Sequence, residues 1–286
     1  MRHVFSCGYS RSGTTLLSTV LDAHPRIALG YELLPGPLPA VAACLDALDA
    51  ATTSGDGPIR ALRADGHDAL AKFVQNARWA SVKVGGVVRL LQRHRDEHGE
   101  DLSTLEARAR LAMAVAERKR HKTGAELSGF KVNTHRVEAF DELFPDSSFV
   151  LIVRDPRDVT ASQLRRGFDR SPRHIAKGWV RYLDHMATLS TRNDATVTVR
   201  YEDLVTDRDA ALDRIFSVTG LSPTDEVRHF YESDAGILGS RHNNAERVGQ
   251  DLFTTSVGRW RSELSDRDRS TVERTTKEWR ARLGYD

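Results

Sequence analysis

The residues best suited to chemistry in this chain lie at its first turn. Gly8-Tyr9-Ser10-Arg11-Ser12-Gly13-Thr14-Thr15 follows a short apolar run, Val4-Phe5, and precedes a helical-looking stretch, Leu16-Leu17-Ser18-Thr19-Val20-Leu21. A strand, a glycine-bearing turn and a helix start bring unpaired N–H groups and the positive end of the helix dipole together, which predicts an anion site. The spacing fits the phosphate-loop pattern G-x-x-x-x-G-K-[ST] at both glycines and at the final hydroxyl, Thr15. At the lysine position stands Thr14, and the cation is offered inside the loop by Arg11.

A nucleoside triphosphatase uses that lysine on the β- and γ-phosphates and binds Mg²⁺ with the last hydroxyl and an acidic strand end. Here the apolar run Phe149-Val150-Leu151-Ile152-Val153 meets Arg154 before Asp155. A cation at that point repels a metal and attracts a second phosphate. The residues therefore suit a nucleotide with two separate phosphate groups, handled without a metal.

The same residues carry a family resemblance. Tyr9-Ser10-Arg11-Ser12-Gly13-Thr14-Thr15 is similar to the 5′-phosphosulfate loop of the sulfotransferases that use 3′-phosphoadenosine 5′-phosphosulfate. Arg154-Asp155-Pro156-Arg157-Asp158-Val159-Thr160-Ala161-Ser162 resembles their 3′-phosphate motif, an arginine followed eight positions later by a serine. Ser12–Leu17, Leu21-Asp22-Ala23-His24-Pro25 and Gly30-Tyr31-Glu32 most resemble the tyrosylprotein sulfotransferase branch and its bacterial relatives. Further echoes are Arg200–Val205, Val257–Trp260 and Leu283–Asp286, whereas roughly residues 33–128 have no counterpart that aligns.

The resemblance implies roles. Arg11 would stabilise charge on the departing phosphate, and Ser10, Ser12, Gly13, Thr14 and Thr15 would bind the 5′-phosphate. Arg154, Ser162 and Arg166 would take the 3′-phosphate, with Tyr201 on the nucleotide. Arg154 could instead pair with Asp155 or Asp158, and Arg166 could be a surface residue. Lys131 resembles the lysine that contacts the transferring group. Glu32 is the expected general base, in a cleft that would raise its pKa. The competitor is His135, although the slot two residues past Lys131, where cytosolic sulfotransferases carry a histidine, holds Asn133. Arg247-Val248-Gly249 resembles a C-terminal phosphate loop, with Ser256 as a further hydroxyl ligand.

These residues need a scaffold. Strands are expected near Val4-Phe5, Gly129–Val132, Phe149–Val153 and Val197–Val199, with helices between and after them, near Val137–Phe144, Ala210–Val218 and Asp266–Leu283. That rhythm predicts an α/β fold, a mainly parallel sheet with helices on both faces. Ligands of such sheets sit at strand carboxyl ends, where Arg11, Lys131 and Arg154 fall. The whole chain reads as one domain with a mostly helical insertion at about 33–128, a lid supplying acceptor contacts. Within it, a helix is expected to start at Ser103, with Glu106 closing a capping box and Gly124 stopping it. Thr52–Pro58 reads as a turn or loop.

With 286 residues, 40% of them hydrophobic, the chain can bury a sizeable core, and its mean hydropathy of −0.46 fits a soluble protein. No stretch approaches the roughly 20 apolar residues of a membrane span. Met1-Arg2-His3 leads straight into the first strand, which leaves no room for a signal peptide. Because the Golgi sulfotransferases that the chain resembles carry a membrane anchor, the resemblance implies a cytoplasmic, bacterial enzyme instead. A formal charge of +2 is too balanced to argue for nucleic acid, and two cysteines, Cys7 and Cys44, indicate no disulfide framework. Arginine outnumbers lysine about five to one, and Arg118, Lys119, Arg120 and Lys122 read as a solvated helix end. The expected activity is metal-independent transfer of a sulfuryl group to a hydroxyl or amine on a small molecule, glycan, lipid or peptide. A small-molecule kinase lacks its lysine and its Mg²⁺ carboxylate here. A non-catalytic nucleotide binder of the same fold would have no use for Glu32.

Overall fold

The computed structural model describes residues 3–55, 57–132, 137–168, 171–232 and 254–285. Five strands form one parallel sheet: β1 (His3–Gly8), β2 (Ile27–Gly30), β3 (Leu127–Lys131), β4 (Ser148–Val153) and β5 (Thr196–Arg200), in the order β2-β3-β1-β4-β5. Every residue of β4 is buried, so both faces of that strand are covered, as its unbroken Ser-Phe-Val-Leu-Ile-Val run dictates. The fold is α/β, as expected.

The chain forms two compact units. One contains residues 18–132, and the other contains residues 5–17 and 137–229 with the C-terminal residues from 254. In the first, five helices stand between β2 and β3: Val41–Thr53, Pro58–Ala64, Asp68–Trp79, Val84–His98 and Leu105–Thr123. The stretch around Thr52–Pro58 is thus shorter as a loop than expected, because one helix runs to Thr53 and Pro58 opens the next. The last helix is capped by Thr104, whose side chain accepts from the Ala107 N–H, not by Ser103. Ser103 instead donates its own N–H to Asp101, and Glu106 pairs with Arg110 one turn on. Gly124 ends it in the left-handed conformation at φ 73°.

The expectation of a solvated basic end to that helix is wrong at Lys119. Its buried ammonium donates to Asp22 at 2.7 Å and to the Leu29 carbonyl at 2.8 Å. Asp22 in turn accepts from the Leu29 N–H at 2.8 Å. Because β2 is an edge strand that is nonetheless buried, its outward-facing backbone groups need partners, and these two side chains supply them.

In the second unit Phe5 packs against Phe140, Phe144 and Phe149 with ring centroids 5.3–5.5 Å apart. Helix Pro156–Arg166 begins where Asp155 accepts from the Arg157 N–H and ends at left-handed Gly167. Helix Pro172–Arg192 buries Ile175, Ala176, Trp179, Tyr182, Leu183, Met186 and Leu189, the stripe a 3.6-residue period gives. Helix Asp266–Leu283 has the bounds expected from sequence. Among the described residues no helix is long and apolar enough to cross a membrane.

Gly129 of β3 lies so close to β1 that a Cβ there would sit 1.7 Å from the Val4 carbonyl oxygen. Backbone cannot yield that far without parting the strands. Gly129→Ala is expected to destabilise the protein by about 3 kcal/mol or more, read as a shift in the urea midpoint.

Candidate functional site

In the second unit the turn Tyr9–Gly13 joins β1 to helix Thr14–Asp22. The Ser12 N–H donates to the Tyr9 carbonyl at 3.0 Å, and Gly13 has φ 95°. A Cβ on Gly13 would meet the Tyr201 ring at 2.6 Å, so glycine is required by both conformation and space. Arg11, with a side chain, also has positive φ, 71°. Its Nε donates to Ser162 Oγ at 3.0 Å, linking the turn to helix Pro156–Arg166. Gln163 adds a bond to the Ser10 carbonyl at 3.3 Å.

Arg154 follows β4 directly and is buried. One Nη donates to the Arg11 carbonyl at 3.3 Å and the other to the Ser256 carbonyl. The guanidinium lies 4.6 Å above the Tyr201 ring, and Asp158 is its ion-pair partner at 3.7 Å. Of the two competing pairings read from sequence, Asp158 is therefore present. Asp155 instead grips Arg157, with Oδ2 2.8 Å from its Nη2. Asp158 also accepts from the N–H groups of Gly258 at 2.8 Å and Trp260 at 3.0 Å. Two buried atoms of this cluster, Ser12 Oγ and Arg154 Nε, have no hydrogen-bond partner among the described residues.

A further layer braces Asp155. Its N–H donates to buried Glu202 at 3.0 Å, and the other oxygen of Glu202 accepts from the Tyr285 hydroxyl at 2.8 Å. Burial pushes the Glu202 carboxyl above its ordinary range, against the pull of those hydrogen bonds. The Tyr285 carbonyl accepts from Arg157 at 3.2 Å.

The first unit holds a second cluster. Glu32 follows β2 with φ 44°, and its carbonyl accepts from buried Asn76 at 2.8 Å. Its Oε1 accepts from Lys131 at 2.9 Å, and its Oε2 pairs with Lys72 at 3.2 Å. The Lys131 ammonium also sits 4.6 Å over the Tyr31 ring, which packs on Trp79 at 5.9 Å. Burial raises the Glu32 carboxyl, but Lys131 and Lys72 outweigh it and hold it at about 2, below its ordinary 4.5. The raised pKa expected for a base is thus reversed, because Lys131 and Lys72 both flank the carboxylate.

Residues 3–226 match the family model described as the sulfotransferase family. The chain belongs to that family. Among solved structures it is similar to the sulfotransferase domain of the Synechococcus PCC 7002 olefin synthase, at 18% identity and a TM-score of 0.66 over 97% of this chain and 94% of that one. The sulfotransferase domain from the curacin biosynthetic pathway matches at 16% identity and 0.62 over 99% and 98%. Sulfotransferase STF9 from Mycobacterium avium matches at 17% and 0.50 over 98% and 76%. At these identities the likeness is one of fold.

For this sulfotransferase the sequence-derived candidates group as follows. Arg11, Arg154, Ser162, Tyr201 and Ser256 are joined by direct contacts, although Ser256 contributes its carbonyl to Arg154. Ser10, Ser12, Gly13, Thr14 and Thr15 form the adjoining turn and helix start. Arg166 is exposed at the end of its helix. His135 and Arg247 lie outside the described residues. Lys72 and Asn76 were not foreseen, since nothing in the region of 33–128 aligned to the motifs.

The low Glu32 pKa has a stability consequence with a definite sign. A carboxyl at about 2 in the folded protein and 4.5 otherwise contributes fully above pH 4.5, and the contribution disappears as pH falls from there toward 2. Its size is up to about 3 kcal/mol. The stability gap between wild type and Glu32→Gln, measured in urea, is expected to hold above about pH 5 and to shrink steadily from there to about pH 3. A gap constant over that range would show that the lysines do not hold the carboxylate.

Proposed function

We propose that this sulfotransferase moves a sulfuryl group from 3′-phosphoadenosine 5′-phosphosulfate to an acceptor hydroxyl or amine without a metal. The observation that carries the reading is a buried guanidinium, Arg154, ending β4 where a Mg²⁺-dependent kinase would place a carboxylate, in contact with the phosphate-loop backbone. The buried, unpartnered Ser12 Oγ and Arg154 Nε suit an anionic ligand that would satisfy both.

In this reading Arg154 and Ser162 hold the 3′-phosphate, and the N–H and hydroxyl groups of Ser12, Gly13, Thr14 and Thr15 hold the 5′-phosphate. The co-substrate supplies an activated sulfuryl group whose leaving partner is a phosphate. Arg11 stabilises the charge that develops on that phosphate, a role fixed side-chain cations can fill because a sulfuryl group carries less charge than a phosphoryl group. Arg11 now donates to the neutral Ser162 hydroxyl, and an anionic oxygen would give its guanidinium an acceptor of opposite charge. Glu32 accepts the acceptor's proton, and Lys131 steadies the Glu32 carboxylate and the transferring group. A carboxyl held at about 2 is ionised at every working pH, so it is always able to accept, although its basicity is modest. The helices between β2 and β3 supply the acceptor contacts.

Calorimetric titration with adenosine 3′,5′-bisphosphate in the absence of Mg²⁺ tests the nucleotide assignment. Binding is expected, with a loss of at least about tenfold in Arg154→Ala. Preference for ATP with Mg²⁺, or an affinity indifferent to Arg154→Ala, would overturn it.

A further inference from the structure

We infer that Lys72 is a specificity-determining residue, and that the acceptor is a hydroxy compound carrying an anionic group close to its reacting hydroxyl. The inference rests on Glu32 as the proton acceptor and goes beyond it to the class of acceptor.

The two oxygens of Glu32 are not equivalent. Oε1 is held by Lys131, whose side chain is only 9% exposed and lies against Tyr31. Oε2 is held by Lys72, whose side chain is 58% exposed on a flexible four-carbon stem. A proton can be taken only at an oxygen the substrate reaches. The Lys131 ammonium is locked in place, whereas the Lys72 ammonium can swing into water at little cost. The acceptor hydroxyl therefore docks on Oε2 in the position that Lys72 occupies.

That exchange leaves a charge to be answered. Two ammonium groups face one carboxylate, and among the described residues Glu32 is the ion-pair partner of both lysines. Once displaced, Lys72 is a cation within a side chain's length of the reacting hydroxyl. An anionic substituent on the acceptor restores its pairing; a neutral acceptor leaves it unpaired and must compete with it for Oε2. The supporting wall is stiff. Helix Asp68–Trp79 presents Lys72, Asn76 and Trp79 at i, i+4 and i+7, on one face, with Asn76 bonded to the Glu32 carbonyl and Trp79 packed on Tyr31.

In the transfer, the acceptor proton passes to Glu32 Oε2 while the acceptor oxygen bonds to sulfur. The bond from sulfur to the 5′-phosphate oxygen breaks, and the phosphate keeps the electron pair. Lys72 makes and breaks no covalent bond; it orients the acceptor through its anionic group.

The test uses matched acceptors with 3′-phosphoadenosine 5′-phosphosulfate: 2-hydroxyphenylacetate against its amide, and 3-hydroxypropanoate against its amide. For wild type, kcat/KM is expected to favour the hydroxy acid of a pair by at least about tenfold, chiefly through KM. Lys72→Met should bring the ratio close to one, and Lys72→Arg should largely retain it. A ratio near one in wild type, a preference for the amides, or a preference that survives Lys72→Met overturns the inference. So does failure to turn over any hydroxy acid by protein that binds adenosine 3′,5′-bisphosphate, an outcome that leaves the nucleotide assignment standing. Failure to bind the bisphosphate is read separately; it removes the nucleotide assignment and this inference with it.

Discussion

A buried guanidinium is costly unless its surroundings are arranged around it, and the second unit of this protein is arranged around Arg154. Asp158 supplies the opposing charge, Tyr201 an aromatic face, and two backbone carbonyls from separate loops the hydrogen bonds. The same Asp158 collects the N–H groups of Gly258 and Trp260, so the cation indirectly fixes where the C-terminal segment lies. Trp179 donates to the Arg154 carbonyl at 3.2 Å, which ties in helix Pro172–Arg192. Four separate chain segments thus meet at one charge. Among the described residues the arrangement stops one atom short, at Nε, and a site that leaves a charged donor unsatisfied is suited to receive an anion.

The second cluster follows a different logic. Glu32 is already neutralised, and more than neutralised, by two lysines of unequal freedom. Its position derives from β2, and β2 is held by Asp22 and Lys119 bonding to the N–H and carbonyl of Leu29. A charged residue on a helix otherwise read as surface therefore sets the register of the strand that delivers the carboxylate. The Arg154 cluster keeps one charged donor unsatisfied among the described residues, while the Glu32 cluster pairs one carboxylate with two ammonium groups of unequal exposure.

How far the sequence foretold this differs between the two. The geometry of the Arg154 cluster was legible because its requirements are local: a glycine turn between strand and helix, an arginine following an apolar run, and Ser162 eight residues on, in the same helix as Asp158. Those spacings translate directly into neighbours. The helix caps were legible to within a residue, as Thr104 in place of Ser103 illustrates, because adjacent hydroxyls compete for the same N–H groups. Lys119 was misread since its partner lies 97 positions away and no periodicity announces it. Lys72 and Asn76 were invisible for the same reason, and the pKa of Glu32 came out reversed as a result. Long-range electrostatics was the missing information, not secondary structure.

Among the described residues only three other than glycine have positive φ, and two of them are Arg11 and Glu32. A side chain in that backbone region costs about 1–3 kcal/mol, which glycine would largely avoid. Selection for heat tolerance alone would thus drift both positions toward glycine and erase the cation and the carboxylate together. Laboratory evolution under thermal pressure without an activity screen would be expected to find those substitutions early, and lineages that resist them would be showing where function, rather than folding, has constrained the chain.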